Sequence, residues 1–216
     1  MPGLVGVIGK SKYPFSEISR KMASTLGLGV NIESITTVAV SCAAMSSDSR
    51  PLGLWGPLVA SDENGFLAGI NGEVFGLYDE AGNSSYDFVR GPESQPAKEL
   101  LKLYKRHGIE VVSRLRGFFS LIIFDPQKES VFLISDRYAL RQLYYYQDDE
   151  AVYFGSEVKA ILAGVDHSIS LDERAISENL LLGMPMGCRS FFDGVSLVSP
   201  ARSEEHTSEL QSRQVI

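Results

Sequence analysis

The chain has 216 residues, 44% of them hydrophobic and 22% charged, with a formal net charge of −7. That length can bury a substantial core, and the balance is that of an ordinary folded protein. The acidic excess disfavours nucleic acid or an anionic membrane as the main partner, because both select a basic face.

No apolar run approaches the roughly 20 residues that a membrane-spanning helix needs. The opening MPGLVGVIGKSKYPF lacks the basic leader and long apolar stretch of a secretory signal, so a cytoplasmic protein is expected. Two cysteines, Cys42 and Cys188, give neither a disulfide framework nor paired metal-ligand spacing, and no metal site is expected.

Leu4 to Ile8 is a short apolar run that reads as a buried strand. Ser16 is placed to cap a helix carrying Ile18, Met22 and Leu26 on one face, with Gly27 stopping it. Residues 35–44, rich in β-branched side chains, predict one strand, followed by a Gly/Pro-punctuated stretch from Pro51 to Pro57 around Trp55. Phe66 to Ile70 predicts a strand, Asn71-Gly72 a tight turn, and the residues through Phe75 a second strand. Leu77 to Gln95 is polar and reads as a loop, and Ala97 to His107 as an amphipathic helix ended by Gly108.

Phe118–Phe124, Val131–Ile134, Leu143–Tyr146 and Val152–Phe154 are closely spaced and predict an antiparallel meander. Glu157 to Leu162 and Asp172 to Leu182 read as helices. Strands in groups and helices in groups argue an α+β layered fold rather than a parallel sheet. Residues 1–201 read as one domain.

Residues 202–216 are set apart. RSEEHTSELQS, from Arg202 to Ser212, resembles the translation of a sequencing-adapter oligonucleotide. An artefactual, disordered tail is expected, preceded by a gene fragment whose natural reading frame continued beyond Ala201. His206 goes with the tail, leaving His107 and His167, which lack metal-ligand spacing.

Five stretches in register carry a family resemblance. MPGLVGVIG at residues 1–9 resembles the opening M-C-G-I-x-G-x-x-G, and NGEVFG at Asn71–Gly76 resembles N-G-E-I-Y-N. LRGFFSLIIFD at Leu115–Asp125 resembles L-R-G-x-F-A-F-x-I-x-D. SDRYALRQLYYYQDDEAVYFGSEVKAIL at Ser135–Leu162 resembles D-R-F-G-x-K-P-L-Y-Y followed by F-A-S-E-x-K-A-L. FDGVSLVSP at Phe192–Pro200 resembles F-x-G-I-x-x-L-P-P-G. Together they are similar to the N-terminal glutaminase domain of asparagine synthetases, class II glutamine amidotransferases. The resemblance implies a four-layer α/β/β/α sandwich of the N-terminal nucleophile hydrolase type.

Such a glutaminase uses an N-terminal cysteine thiolate to attack the glutamine amide, with the free α-amine (pKa about 8) as local base. Pro2 occupies the nucleophile position here, so no thioester can form. Cys42 and Cys188, far along the chain, read as unreactive thiols. Asn71 and Gly72 match the residues that form the oxyanion hole, a device typically worth about 10²–10³ in rate. They read as a remnant kept for structure, since Asn-Gly is also a common hairpin turn.

The substrate-gripping residues depart from the pattern. An arginine of an R-L-S-I motif would fall near Met45, in CAAMSS, where there is none; Arg50 lies in a different context. The S-D-x-E stretch, whose aspartate binds the substrate amine, is replaced by Gln95-Pro96-Ala97-Lys98. Asp136-Arg137 and Glu157 match family motifs and read as structural ion pairs; Tyr144, Tyr145 and Tyr146 read as core with one exposed ring. No catalytic residue is intact, and the substrate-binding residues are unassigned.

The resemblance therefore implies a catalytically degenerate domain, a pseudoenzyme, of an ATP-dependent amide-bond-forming enzyme. β-Lactam synthetases and lasso-peptide cyclases are relatives in which the amine comes from the substrate itself. ATP and magnesium are expected only for a C-terminal synthetase domain bearing S-G-G-x-D-S, a motif absent from residues 1–201. That domain is the expected partner, and a homodimer of the parent is one assembly the resemblance allows. The competing readings are a working glutamine-hydrolysing asparagine synthetase, a stand-alone small-ligand-binding module, and a terminal Pro2 amine acting as general base.

Overall fold

In the computed structural model, residues 3–9, 14–26, 32–36, 40–45, 59–78, 84–87, 95–200, 203–207 and 212–215 are described, with backbone alone for 32–36, 40–45, 84–87, 203–207 and 212–215. The first elements are β1 (Gly3–Gly9), α1 (Phe15–Ser24), β2 (Ile32–Thr36), β3 (Val40–Met45), β4 (Val59–Ser61), β5 (Leu67–Tyr78) and β6 (Ser84–Asp87). Then come α2 (Pro96–His107), a 3-10 turn at Ile109–Arg114, β7 (Leu115–Asp125), β8 (Ser130–Ser135), β9 (Tyr144–Gln147) and β10 (Ala151–Gly155). The last are α3 (Val158–Gly164), α4 (Glu173–Leu182), β11 (Ser196–Leu197), β12 (Ser203–Thr207) and β13 (Ser212–Val215).

Two antiparallel sheets result. One runs β11-β9-β10-β1-β3-β2; the other runs β13-β12-β8-β7-β5-β4, with β6 also pairing β5. Side chains alternate across each strand. In β1, Leu4 and Ile8 face the second sheet and cluster with its Leu67, Ile122 and Leu133, beside Phe154 of neighbouring β10, while Val5 and Val7 face Met22 of α1 and Ile161 of α3. On the far side, Ala68, Ile70, Leu121 and Ile123 pack beneath Leu100, Leu101 and Tyr104 of α2. The layers are therefore α1 and α3, first sheet, second sheet, α2: an α/β/β/α sandwich of the expected class.

The α2 helix follows the sequence reading, with Pro96 in its first turn and Gly108 (φ 68°) ending it. Several expectations change. Ser16 does not cap α1; Pro14 precedes the helix and its carbonyl receives the first N–H groups, from Glu17 and Ile18. The strand expected over 35–44 is a pair, β2 and β3, set antiparallel with Thr36 opposite Ser41. Asn71-Gly72 is not a turn: β5 runs through it unbroken, paired with β7 from Leu67 to Leu77. The polar stretch 77–95 contains β6.

The meander is also divided. β7 and β8 pair in the second sheet, β9 and β10 in the first, and the chain crosses between sheets at 136–143. Segment 202–216, expected to be disordered, contributes β12 alongside β8 and β13 alongside β12. The outer edge of β8 offers N–H and C=O groups that pair any extended backbone, whatever its side chains. Gly27 and the stretch 51–57 with Trp55 lie outside the described residues.

Tyr144, Tyr145 and Tyr146 are all half-buried, so no single ring stands out as exposed. Burial pushes the Tyr144 phenol up; burial, then Asp148, Asp193 and Asp149, does the same for Tyr146. Both phenolates are thus disfavoured in the folded state. Their contribution to stability is full below the unfolded tyrosine value of about 10 and is lost as pH rises through the higher folded values. Chemical denaturation across alkaline pH should show that loss, and Tyr146→Phe should make it shallower. Leu100→Ala, emptying a fully buried site under α2, should cost about 2–5 kcal/mol in the same assay.

Candidate functional site

At one end of the inter-sheet layer, apolar side chains give way to polar ones. Alternation along β5, β7 and β8 points Asn71, Ser120 and Ser135 inward, and they lie opposite one another across the ladder. The same alternation after β10 turns Ser156 inward from the first sheet. Asn71, Ser120 and Ser135 are buried.

Ser156 ties the sheets together there. Its Oγ accepts the N–H of Leu4 at 2.8 Å and donates to the Leu4 carbonyl at 3.1 Å. That spends its one proton, so it faces Asn71 as an acceptor, and Asn71 Nδ2 donates to it at 3.1 Å. The second amide proton goes to Ser120 Oγ at 3.4 Å. Asn71 Oδ1 is left buried without a partner. An amide oxygen so placed costs about 1–3 kcal/mol unless a donor reaches it.

Gly72 stands at the close approach of β5 to β7. Its φ is +113°, and a Cβ there would lie 2.1 Å from the Phe118 carbonyl oxygen and 2.8 Å from Arg141 Cγ. Gly117 mirrors it, since a Cβ there would lie 2.1 Å from the Glu73 carbonyl oxygen. No side chain fits between the strands at either point.

Asp136 fixes the crossing loop beside this spot. Its carboxylate accepts N–H groups from Tyr138 (2.8 Å), Leu140 (3.1 Å) and Phe119 (3.2 Å). The loop carries the Arg141 stem onto Gly72, with Phe118, Tyr138 and Leu140 exposed around it. The expected carboxylate–guanidinium pairing at Asp136 is replaced by this backbone clasp, and Glu157 pairs with Lys159 at 2.7 Å.

The structure brings Asn71 and Gly72 together beside the first residues of β1. Pro2 and Arg50 lie outside the described residues. Met45 ends β3 opposite Gly3, so the position where an arginine was sought does border the start of β1. Pro96 is buried in the first turn of α2, and Gln95 supplies no side-chain cap. Cys188 sits beside β11, three strands from β1, its Sγ 3.2 Å from Ser199 Oγ. Cys42 lies on β3 opposite Gly6. His107 ends α2.

Sequence reading missed Ser120, Ser135 and Ser156. Their signal was present: serines at inward positions of otherwise apolar strands are buried polar groups that need partners. It also missed a surface chain in which His167 Nε2 meets Tyr146 Oη at 3.0 Å and Nδ1 meets Asp166 at 3.4 Å. Among the described residues, no three His, Cys, Asp or Glu side chains gather for a metal, and no helix is long and apolar enough to cross a membrane.

Residues 54–214 match the family described as the glutamine amidotransferase domain. The chain belongs to that family. Its curated relatives place it with the asparagine synthetase type. The glutamine-hydrolysing asparagine synthetase 3 of Bacillus subtilis is 28% identical over 137 residues, 62% of this chain and 22% of that protein. Amidase chry2 of Gibberella zeae is 26% identical over 102 residues, 47% of this chain and 15% of that protein. The chain thus spans about a quarter or less of the curated relatives it matches. A glutamine phosphoribosylpyrophosphate amidotransferase from B. subtilis superposes with a TM-score of 0.58, at 14% identity, over 99% of this chain and 48% of that one. At that identity the likeness concerns the fold, and it agrees with the N-terminal nucleophile hydrolase sandwich.

Removing the Ser156 hydroxyl takes the acceptor from the Leu4 N–H and from one Asn71 amide proton, so Ser156→Ala should cost about 1–3 kcal/mol. Gly72→Ala should cost at least about 2 kcal/mol from strain and overlap. Urea denaturation measures both; values within about 0.5 kcal/mol of wild type would remove their structural role.

Proposed function

We propose that this amidotransferase domain does not hydrolyse glutamine and serves as a folded scaffold within an ATP-dependent amide-bond-forming enzyme of the asparagine synthetase kind. The observation that carries the reading is Asn71, whose two amide protons are already spent on Ser156 and Ser120. A side chain so engaged has no N–H to offer a tetrahedral oxyanion, and Pro2 offers no thiol to create one. Pro96 in place of a carboxylate adds to this, since a lost charge partner for an amine costs roughly 2–5 kcal/mol of binding.

In such a parent the amine is carried by the substrate, as in a β-lactam synthetase or lasso-peptide cyclase, and ATP with magnesium activates a carboxylate on the synthetase domain. The location of that chemistry would be the cytoplasm. The domain is residues 1–201 and the tail is dispensable. The core faces of β8 place Val131 and Leu133 in the inter-sheet cluster and Phe132 and Ile134 in the cluster under α2. A chain ending at Ala201 should melt within a few degrees of the full one.

A binding module is the second reading, favoured by the unpartnered Asn71 Oδ1, which suits an N–H donor. The assay that separates the readings is glutamate release from glutamine. No release above background is expected from the wild type, and none from Pro2→Cys, because the substrate-gripping residues are absent as well. Release by the wild type would restore the working-glutaminase reading. A thermal shift with free amino acids would favour the binding module.

A further inference from the structure

The sequence carries the Asn-Gly dipeptide twice, at Asn64-Gly65 and at Asn71-Gly72. In this pair the glycine nitrogen has an open approach to the asparagine side-chain carbonyl carbon, since no Cβ obstructs it. The nitrogen loses its proton to hydroxide and bonds to that carbon, and the bond to Nδ2 breaks with release of ammonia. Water then opens the five-membered succinimide at one or the other carbonyl, leaving aspartate or isoaspartate. The reaction needs a backbone that bends at the asparagine, a donor for the oxygen on which charge gathers, and water.

At Asn71 the fold withholds all three. β5 is extended there, with Ile70, Asn71 and Gly72 paired to Leu121, Ser120 and Phe119 of β7, so a bend would undo the ladder. The side chain is only 4% exposed, and Nδ2 is held by Ser156 and Ser120. Oδ1, the atom that would take the negative charge, has no donor.

Asn64 carries the same dipeptide in the opposite setting. It is exposed, in the turn that joins β4 to β5. The chain is already bent, with the Gly65 N–H on the Asp62 carbonyl at 3.1 Å and Gly65 at φ +83°. Nothing lies within 3.8 Å of a Cβ built on Gly65, so the approach is open. Among the described residues none holds the Asn64 side-chain amide; its backbone N–H alone is tied, to Asp62 Oδ1 at 2.9 Å.

We propose that Asn64 is the deamidation site of the folded domain, while Asn71 is a latent site that reacts only when β5 opens. Each conversion at 64 sets a new carboxylate beside Asp62, whose own carboxylate holds the Phe66 N–H and Lys105 of α2. Isoaspartate also lengthens the main chain by one methylene inside a turn whose Asn64, Gly65 and Phe66 N–H groups all close on Asp62. Product at 64 thus accumulates with time spent folded, and product at 71 with time spent open.

The test incubates the 216-residue chain in mildly alkaline buffer, folded and in urea, and reads aspartate and isoaspartate at each site by peptide mass spectrometry. In the folded chain Asn64 should convert at least about tenfold faster than Asn71, because only local opening exposes the strand site. In urea the two rates should converge. Ser156→Ala, which frees one Asn71 amide proton, should speed site 71 and leave site 64 unchanged. Equal rates in the folded chain, or an unreacted Asn64, overturn the proposal. A difference that persists in urea overturns it too, by assigning the contrast to neighbouring sequence. Should Ser156→Ala not fold, the wild-type comparison decides.

Discussion

Two sheets stacked face to face leave their central strands no solvent side. Along most of β1, β5, β7 and β10 a residue points either at a helix or at the opposing sheet, so the period-2 alternation decides its surroundings. Apolar side chains meet that demand along most of the inter-sheet layer. At the end where β1 begins the layer is polar, and the groups must satisfy one another. Ser156 does most of this, serving Leu4 and Asn71 with one hydroxyl. A pairing that anchors the first strand also occupies the amide on which oxyanion stabilisation would rely.

The surroundings of α2 and α4 differ in how their charges and apolar groups are met. Around α2, Lys105 pairs with Asp62 at 2.6 Å and lies over the Phe66 ring, and Tyr104 donates to buried Asp125 at 2.7 Å. Burial alone would raise the Asp62 carboxyl, but Lys105 and the N–H groups of Phe66 and Asn64 outweigh it and hold it below the usual range. Around α4 the ion pairs hold the shape of an apolar surface that nothing in this chain is described as covering.

Much of this was legible from residues alone, and the exceptions share a cause. β1, β7, β8 and α2 were visible because long apolar periodicity follows directly from burial. β2 and β3 merged because Thr37, Val38 and Ala39 offer no turn chemistry to divide a β-branched run. β6 hid in a polar stretch, because Ser84, Ser85 and Asp87 show no apolar alternation. At Asn71-Gly72 a local turn preference competes with cross-strand pairing along the whole of β5, and the pairing wins. The site was half legible: Asn71 and Gly72 were found through a motif, while the serines that set their geometry are ordinary residues whose role exists only across sheets.

Gly72 and Gly117 carry a consequence for how such domains age. Both lie where one backbone presses on another, and both would be required by a protein that had never met glutamine. Selection for folding alone would hold them after every reacting group had drifted away. The glycine of an Asn-Gly pair at such a close approach is therefore accounted for by architecture and is mute about chemistry. Any survey that counts it as a mark of a living enzyme will number the dead among the working.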